Sequence, residues 1–197
     1  MRRLLLATSN PGKVREFRRL LEGVPCAVVT PAGAGIVIEV VEDGATYAEN
    51  AAKKARAYAL AGDCLALADD SGIEVDAIEG RPGLYSARFG GPQLDDAGRN
   101  ALLLVQLHGL PPELRTARYQ AVVVIASPEC DVFSARGTWE GAIAECARGG
   151  GGFGYDPLFL LDDGRVSAEL SDAEKDAVSH RGQAVRAAAH YLRSGRP

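Results

Sequence analysis

The N-terminal stretch Arg3-Leu4-Leu5-Leu6-Ala7-Thr8-Ser9-Asn10-Pro11-Gly12-Lys13 predicts a strand, a turn and the start of a helix. Its first five residues form an apolar run of strand length, and residues 14–21 after it are amphipathic with a helical period. Asn10 is a good helix N-cap and Pro11 suits the first helical position, so a turn joins the strand to the helix. Backbone N–H groups at such a helix start attract phosphate, and Lys13 adds a positive charge beside them. The glycine spacing of a P-loop is absent, so this turn predicts phosphate binding of another kind.

Strands and helices alternate irregularly in the rest of the chain. The apolar patterns predict strands at 4–7, 27–29, 36–41, 65–68, 73–78, 118–126, 132–144 and 157–159, and helices at 14–21, 47–60, 95–107 and 184–192. The two runs on either side of residues 127–131 predict a long antiparallel hairpin. Because strict strand–helix alternation is missing, we expect an α/β fold with a mixed sheet, and residues 1–197 contain no separable linker.

Two neighbouring carboxylates follow a buried run in the middle of the chain. Asp69-Asp70-Ser71-Gly72 comes after Leu65-Ala66-Leu67-Ala68, so the acidic pair is expected at the end of a buried strand. Adjacent carboxylates repel each other and lose solvation there unless a cation is near. Mg²⁺ meets this need with one or two carboxylates, leaving its other positions for water and phosphate oxygens. The pattern therefore predicts a magnesium site, and Glu42 lies upstream, before a capping box at Thr46–Glu49 that opens a helix.

A second polar stretch lies near the C-terminal end. The glycine run 149–152 leads into Phe153-Gly154-Tyr155-Asp156-Pro157, and Lys175 and His180-Arg181 follow. A capping box at Ser171–Glu174 places Lys175 in the first turns of a short helix. Glycines beside two aromatic rings, an acid and three cations suit a loop that wraps a flat, polar, anionic ligand such as a nucleotide.

Composition limits the classes of function. The net charge of −4 argues against a nucleic-acid-binding surface, which normally carries a basic excess. No segment reaches the length of a membrane span, and the N-terminus lacks the cleavage site of a signal peptide. The four cysteines show no CxxC spacing, so partly buried reduced thiols are expected. These features together favour a cytoplasmic enzyme.

Six segments, in this order, resemble the inosine triphosphate pyrophosphatase family, the pyrophosphatases of non-standard purine nucleoside triphosphates. The segments are Thr8-Ser9-Asn10-Pro11-Gly12-Lys13, Glu49-Asn50-Ala51 with Lys54-Ala55, Ala68-Asp69-Asp70-Ser71-Gly72, Pro82-Gly83 with Tyr85-Ser86-Ala87-Arg88, Gly151-Gly152-Phe153-Gly154-Tyr155-Asp156-Pro157, and Glu174-Lys175 with Ser179-His180-Arg181-Gly182. The resemblance covers almost the whole chain, and it implies an elongated, bent mixed sheet with flanking helices and two lobes around a central cleft. It also implies a homodimer.

The implied reaction is the Mg²⁺-dependent hydrolysis of ITP, dITP and XTP to the monophosphate and pyrophosphate. In the implied site, Glu42 and Asp70 bind Mg²⁺, and Asp70 also orients or deprotonates the attacking water, although Asp69 could share either role. Triphosphate binding falls to Thr8, Ser9, Asn10, Pro11, Gly12, Lys13, Lys54 and Ser71. The base stacks on Phe153, and the residues around it are Gly154, Tyr155, Asp156, Lys175, His180 and Arg181.

Other functions stay open at this point. Maf-like nucleotide pyrophosphatases also begin with a strand and a serine-containing turn, but the segments at 153–157 and 179–182 argue against them. A non-catalytic nucleotide-binding regulator would not need the negative charge of Glu42, Asp69 and Asp70. A phosphatase with an aspartyl phosphate needs a second Asp two residues after the nucleophile, which this strand end lacks.

Overall fold

The computed structural model describes residues 2–195, which form seven β-strands and five α-helices. The strands are β1 (Arg2–Leu6), β2 (Cys26–Val29), β3 (Leu65–Val75), β4 (Arg81–Pro82), β5 (Thr116–Ala126), β6 (Asp131–Ile143) and β7 (Phe159–Leu160). The helices are α1 (Pro11–Leu20), α2 (Tyr47–Gly62), α3 (Asp96–Gln106), α4 (Asp172–Val178) and α5 (His180–Arg193). In residues 2–195, no helix is both long enough and apolar enough to cross a membrane.

The strands form a mixed sheet in the order β2-β1-β3-β5-β6-β7, with β4 paired to β3. β1 runs parallel to both β2 and β3, whereas β4 is antiparallel to β3, and β7 is antiparallel to β6. Parallel neighbours need a long crossover, which α1 and α2 supply here. The predicted α/β fold with a mixed sheet is therefore confirmed.

The strand-to-helix turn after β1 forms as the sequence predicts. The side chain of Asn10 accepts a hydrogen bond from the Lys13 backbone N–H at 3.1 Å, and α1 begins at Pro11. A capped N-terminus with proline in the first turn satisfies the donors that the helix itself leaves free. Lys13 therefore lies in the first turn of α1, directly after the buried strand.

The predicted hairpin is also confirmed, with β5 and β6 as its strands. Its turn closes through a hydrogen bond from the Ser127 backbone N–H to the Cys130 carbonyl at 2.8 Å. Across the two strands, Thr138 donates to Gln120 at 2.8 Å and Arg118 donates to Glu140 at 3.1 Å, the pairing that antiparallel neighbours require.

Two predictions about strands were wrong. No turn separates residues 65–68 from 73–78, because β3 runs unbroken through Asp69 and Asp70. Residues 36–41 form no strand, and Val37 is 96% exposed. The alternation of apolar residues in this segment makes one side half-buried, but no ladder partner covers its backbone.

The chain divides into two compact units. Of the described residues, the first unit contains 2–70, 121–137 and 180–195, and the second contains 71–120 and 138–179. The core of the first unit lies between the sheet and the helices α1 and α5, and includes Leu4, Phe17, Val123 and Ala188. The core of the second unit includes Ile73, Leu103, Tyr155 and Phe159, with the ring of Trp139 centred 5.0 Å from that of Phe159. Each unit therefore has its own hydrophobic core.

Candidate functional site

Asp69 and Asp70 point to opposite sides of β3, because consecutive residues of a strand alternate between its two faces. Asp69 is 1% exposed and Asp70 is 7% exposed, so both carboxylates are buried and need partners. Each finds a different set of them within the first unit. The alternation explains how a strand can carry adjacent acids without a turn.

Asp69 lies in a buried ion-pair network. Lys13 donates to its Oδ1 at 3.0 Å, and the Arg181 guanidinium donates through Nε and Nη2 to its Oδ2, each at 3.1 Å. The Nη1 of Arg181 donates to Glu16 on α1 at 2.7 Å. Burial by itself would raise the pKa of Asp69, but the positive charges of Lys13, Arg181 and Lys54 hold that pKa well below its usual range. Asp69 is therefore a firmly ionised anchor for Lys13 and Arg181.

Asp70 lies beside α2 in a different environment. Asn50 donates to its Oδ2 at 3.0 Å, and Lys54 Nζ lies 3.8 Å from its Oδ1. The same ammonium group donates to Glu42 Oε2 at 2.9 Å, so it lies between the two carboxylates. Burial raises the pKa of Asp70 despite the attraction of Lys54 and Lys13. This carboxylate therefore has less positive charge around it than its burial demands.

The segment that carries Glu42 is tied to the first turn of α2. The Gly44 backbone N–H donates to Asn50 Oδ1 at 2.8 Å, and the Ala45 backbone N–H donates to Glu49 Oε2 at 2.8 Å. Asn50 is 1% exposed and so holds this segment with its oxygen and Asp70 with its nitrogen. No function is predicted for Asn50 from the sequence. Its place one residue after the predicted capping box was the signal that could have found it.

Lys53 and Lys54 lie on different sides of α2, as the helical angle between neighbours requires. Lys54 is 9% exposed and is held by Glu42, whereas the half-exposed Lys53 contacts Asp43. Of the two lysines, Lys54 is thus the one that contacts Glu42 and Asp70, the predicted metal ligands.

The residues of the predicted phosphate-binding turn lie next to Lys13 in the first unit. Thr8 Oγ1 accepts from the Asn10 backbone N–H at 3.2 Å, which fixes the turn after β1. Ser9, Asn10 and Pro11 are exposed, and Gly12 is buried. A fixed turn with exposed residues at a helix start can present backbone donors to a phosphate.

The second unit holds the predicted aromatic loop around Asp156. This buried carboxylate accepts hydrogen bonds from the Phe153 backbone N–H at 2.9 Å, from Ser167 Oγ at 3.0 Å and from Lys175 Nζ. Gly152 has φ +72°, and a Cβ there would lie 2.0 Å from Asp156 Oδ2. Only glycine fits at this position. Asp156 therefore fixes both the start of the loop and the ammonium group of Lys175.

The two aromatic residues of this loop differ in position. The ring of Phe153 is half-buried, with Lys175 Nζ 5.1 Å from its centroid. Tyr155 is 4% exposed, lies in the core of the second unit and donates its hydroxyl to the Ser86 carbonyl at 2.9 Å. Burial raises the pKa of the Tyr155 hydroxyl. The sequence predicts Tyr155 at the edge of a base, but these contacts make its side chain an anchor of the loop.

The predicted site residues thus fall into two groups. The first unit contains Thr8, Ser9, Asn10, Pro11, Gly12, Lys13, Glu42, Lys54, Asp70, His180 and Arg181, and the second contains Ser71, Phe153, Gly154, Tyr155, Asp156 and Lys175. The buried His180 begins α5, and its carbonyl oxygen approaches β6 so closely that a Cβ at Gly137 would lie 2.0 Å from it. The hydrogen bonds of Arg181 to Asp69 and Glu16 place its guanidinium in the network around Lys13. The family resemblance predicts Arg181 beside the base instead.

Glu42 and Asp70 have the donor chemistry of a magnesium site. Their oxygens already hold one cationic group, Lys54, between them, and burial leaves Asp70 short of positive charge. Within residues 2–195 no group of three or more His, Cys, Asp or Glu side chains gathers around a possible metal position. Mg²⁺ commonly needs only one or two carboxylates, so this pair fits it.

The chain is similar to known proteins over nearly its full length. The model of the Ham1 family matches residues 4–191. A dITP/XTP pyrophosphatase of Desulforamulus reducens is 48% identical over 96% of this chain and 95% of its own length. A dITP/XTP pyrophosphatase of Bacillus subtilis is 42% identical over 94% of both chains. The structure of a HAM1 protein from Coxiella burnetii superimposes with a TM-score of 0.89 at 35% identity, covering 99% of this chain and 100% of that one.

Proposed function

This chain belongs to the Ham1 family, and we propose that it hydrolyses non-standard purine nucleoside triphosphates, with dITP, ITP and XTP as its substrates. The products are the nucleoside monophosphate and pyrophosphate. The enzyme is thus a hydrolase acting on an acid anhydride, and its activity removes deaminated purine nucleotides from the nucleotide pool.

The observation that carries this proposal is the separation of Asp69 from Asp70 on β3. Asp69 is neutralised by Lys13 and Arg181, whereas Asp70 faces Glu42 and keeps a raised pKa. A buried carboxylate of this kind, beside a second carboxylate and a lysine, is a typical feature of a catalytic centre that takes up a cation. A protein that only bound a nucleotide would have no need to bury it.

In the proposed mechanism, positioning and neutralisation of charge do most of the work. Lys13, Lys54 and the turn of residues 8–12 bind the triphosphate. Ser71, which follows Asp70 on β3, is also assigned to triphosphate binding. Asp70 accepts a hydrogen bond from the attacking water and orients it toward the α-phosphorus.

Glu42 and Asp70 are the residues that would hold Mg²⁺. When bound, the ion would supply Lewis-acid polarisation of the phosphate oxygens and acidify a water molecule. Asn50 keeps both carboxylates in place, because it bonds Asp70 and the segment that carries Glu42. Orientation of this kind by neighbours typically changes metal affinity by about 10-fold to 100-fold.

The base is assigned to the loop of the second unit. Phe153 provides a half-buried ring for stacking, and Lys175 lies beside that ring with its ammonium group fixed by Asp156. Hypoxanthine and xanthine carry an oxygen at position 6 where adenine carries an amino group. A pocket of N–H donors accepts the oxygen and leaves unpaired donors opposite the amino group.

A substrate panel tests the proposal. ITP, dITP and XTP should exceed ATP and GTP by at least roughly 100-fold in kcat/KM, about 2.7 kcal/mol of transition-state discrimination. Pyrophosphate and orthophosphate are measured separately, and pyrophosphate should equal the monophosphate formed. Release of orthophosphate alone, or equal turnover of ATP and ITP, would refute the proposal.

Two lysine variants separate recognition of the base from recognition of the phosphates. Lys175→Ala should weaken ITP and XTP selectively, because Lys175 lies beside Phe153. Lys13→Ala should weaken all triphosphates alike, because Lys13 lies at the phosphate-binding turn. Equal losses for every base in the Lys175 variant would instead assign this lysine to phosphate.

We also propose that the protein is a homodimer, which rests on its family alone. Light scattering at micromolar concentration should give twice the mass of the chain. A monomer mass across that range would contradict the proposed assembly.

A further inference from the structure

Both backbone polar groups of Gly154, its N–H and its carbonyl, form hydrogen bonds with side chains of α3. Its backbone N–H donates to Asp96 Oδ2 at 2.8 Å, and its carbonyl accepts from Asn100 Nδ2 at 3.0 Å. Asp96 and Asn100 are four residues apart, so they lie one above the other on the same face of the helix. All three residues belong to the second unit. Two side chains of α3 thus hold the aromatic loop through Gly154.

We propose that Asp96 and Asn100 are positioning residues that set the selectivity of the enzyme for the base. They act through Gly154 by fixing the loop between Phe153 and Tyr155. This inference rests on the proposed function, because it takes the loop as the part of the protein that binds the base.

The hydrogen bonds that join Asp96 and Asn100 to Gly154 form a clamp on the loop. The loop needs this clamp because its glycines allow the backbone many conformations. Gly154 has φ +62°, and space is open around the position of a Cβ there. The loop also follows the glycine run 149–152, so its unrestrained backbone would populate many conformations. Fixing the backbone of a single residue lowers the equilibrium constant for ordering the loop by about a factor of 10. A loop ordered before the base arrives avoids that loss on binding.

Three consecutive residues of the loop, Phe153, Gly154 and Tyr155, each have their own hydrogen-bond partners. Asp156 accepts from the Phe153 backbone N–H, and the Tyr155 hydroxyl donates to the Ser86 carbonyl. The clamp holds Gly154 between these two ties. Without it, the peptide plane next to Phe153 could rotate, and the stacking ring would lose its orientation.

Asn100 should contribute more than Asp96. Asn100 is 7% exposed, so water competes little for its hydrogen bond, whereas Asp96 lies at the surface. Asn100 must also present its NH₂ group to Gly154, since the carbonyl there only accepts. Alanine at position 100 removes this donor completely.

The test measures kcat and KM for ITP and ATP in Asp96→Ala and Asn100→Ala. We expect the ratio of kcat/KM for ITP to that for ATP to fall about 10-fold in Asn100→Ala and somewhat less in Asp96→Ala. KM for ITP should rise more than kcat falls. Asp96→Asn keeps an acceptor oxygen for the Gly154 N–H and should restore most of the ratio.

Asp95→Ala is the matched control. Asp95 caps the same helix by accepting from the Gly98 backbone N–H at 2.8 Å, and no contact of the clamp runs through it. This variant should melt at a lower temperature, by a shift similar to that of Asp96→Ala, yet keep the wild-type ratio of ITP to ATP. A readout of selectivity therefore separates positioning from helix stability.

An unchanged ratio in both clamp variants, with ITP still preferred, would overturn the inference and leave the proposed function standing. An equal fall of the ratio in Asp95→Ala would overturn it as well, because helix stability would then explain the effect. If the wild-type protein does not prefer ITP, the proposed function fails, and the inference that rests on it fails too.

Discussion

Asp70→Asn should lower Mg²⁺-dependent turnover of ITP by at least about 1000-fold, roughly 4 kcal/mol of transition-state stabilisation. The amide cannot take up a cation as a carboxylate does, and it is a poor acceptor for a proton from water. The fold should tolerate the change. Burial already disfavours the charged form of Asp70, and the amide oxygen can still accept from Asn50.

The neighbouring residue gives the control for this prediction. Asp69→Asn should destabilise the protein instead, because the ionised form of Asp69 is the one that Lys13 and Arg181 stabilise. Urea unfolding of both variants, together with turnover of ITP, separates the two effects. Near-wild-type turnover in Asp70→Asn would remove Asp70 from the catalytic centre, and a large loss of stability would make the turnover result unusable as evidence for catalysis.

Arg181→Met should lower the free energy of unfolding by about 3–5 kcal/mol, because it leaves two buried carboxylates without their shared partner. Arg181, Asp69 and Glu16 are 3%, 1% and 5% exposed. Methionine fills a similar volume but donates no hydrogen bond. Urea unfolding, with the midpoint and slope fitted together, measures the loss.

The exposed ion pair of Arg56 with Asp131 serves as the matched control. Arg56 donates to Asp131 at 2.7 Å and 2.8 Å, but its side chain is largely exposed. Arg56→Met should therefore cost less than about 1 kcal/mol. Equal losses of unfolding free energy in the two methionine variants would show that burial does not determine how much the Arg181 network stabilises the fold.

Loss of stability also bears on how Arg181 is assigned. The role of Arg181 beside the base, which the family resemblance implies, stays a prediction. Its hydrogen bonds to Asp69 and Glu16 predict that a substitution acts first through folding. Kinetic effects of Arg181 variants should accordingly be compared only after their folded fraction is measured.

The features that depend on neighbours along the chain could be predicted from the amino-acid sequence. The cap by Asn10, the start of α1 at Pro11 and the capping box of α4 form as predicted, because each rests on contacts within four residues. The β5–β6 hairpin is also predictable, since a short turn between two apolar runs brings them together. The family resemblance rests likewise on short local motifs.

The partner of each buried polar side chain, in contrast, depends on long-range packing and could not be predicted from the sequence. Asp69-Asp70-Ser71-Gly72 has the composition of a turn, yet it continues β3, because cations from α1, α2 and α5 compensate the buried carboxylates. Those partners are up to 112 residues away along the chain, beyond the reach of any local pattern. The clamp of Asp96 and Asn100 on Gly154 likewise joins segments more than 50 residues apart. Packing brings such groups together, and burial then decides which of them must pair.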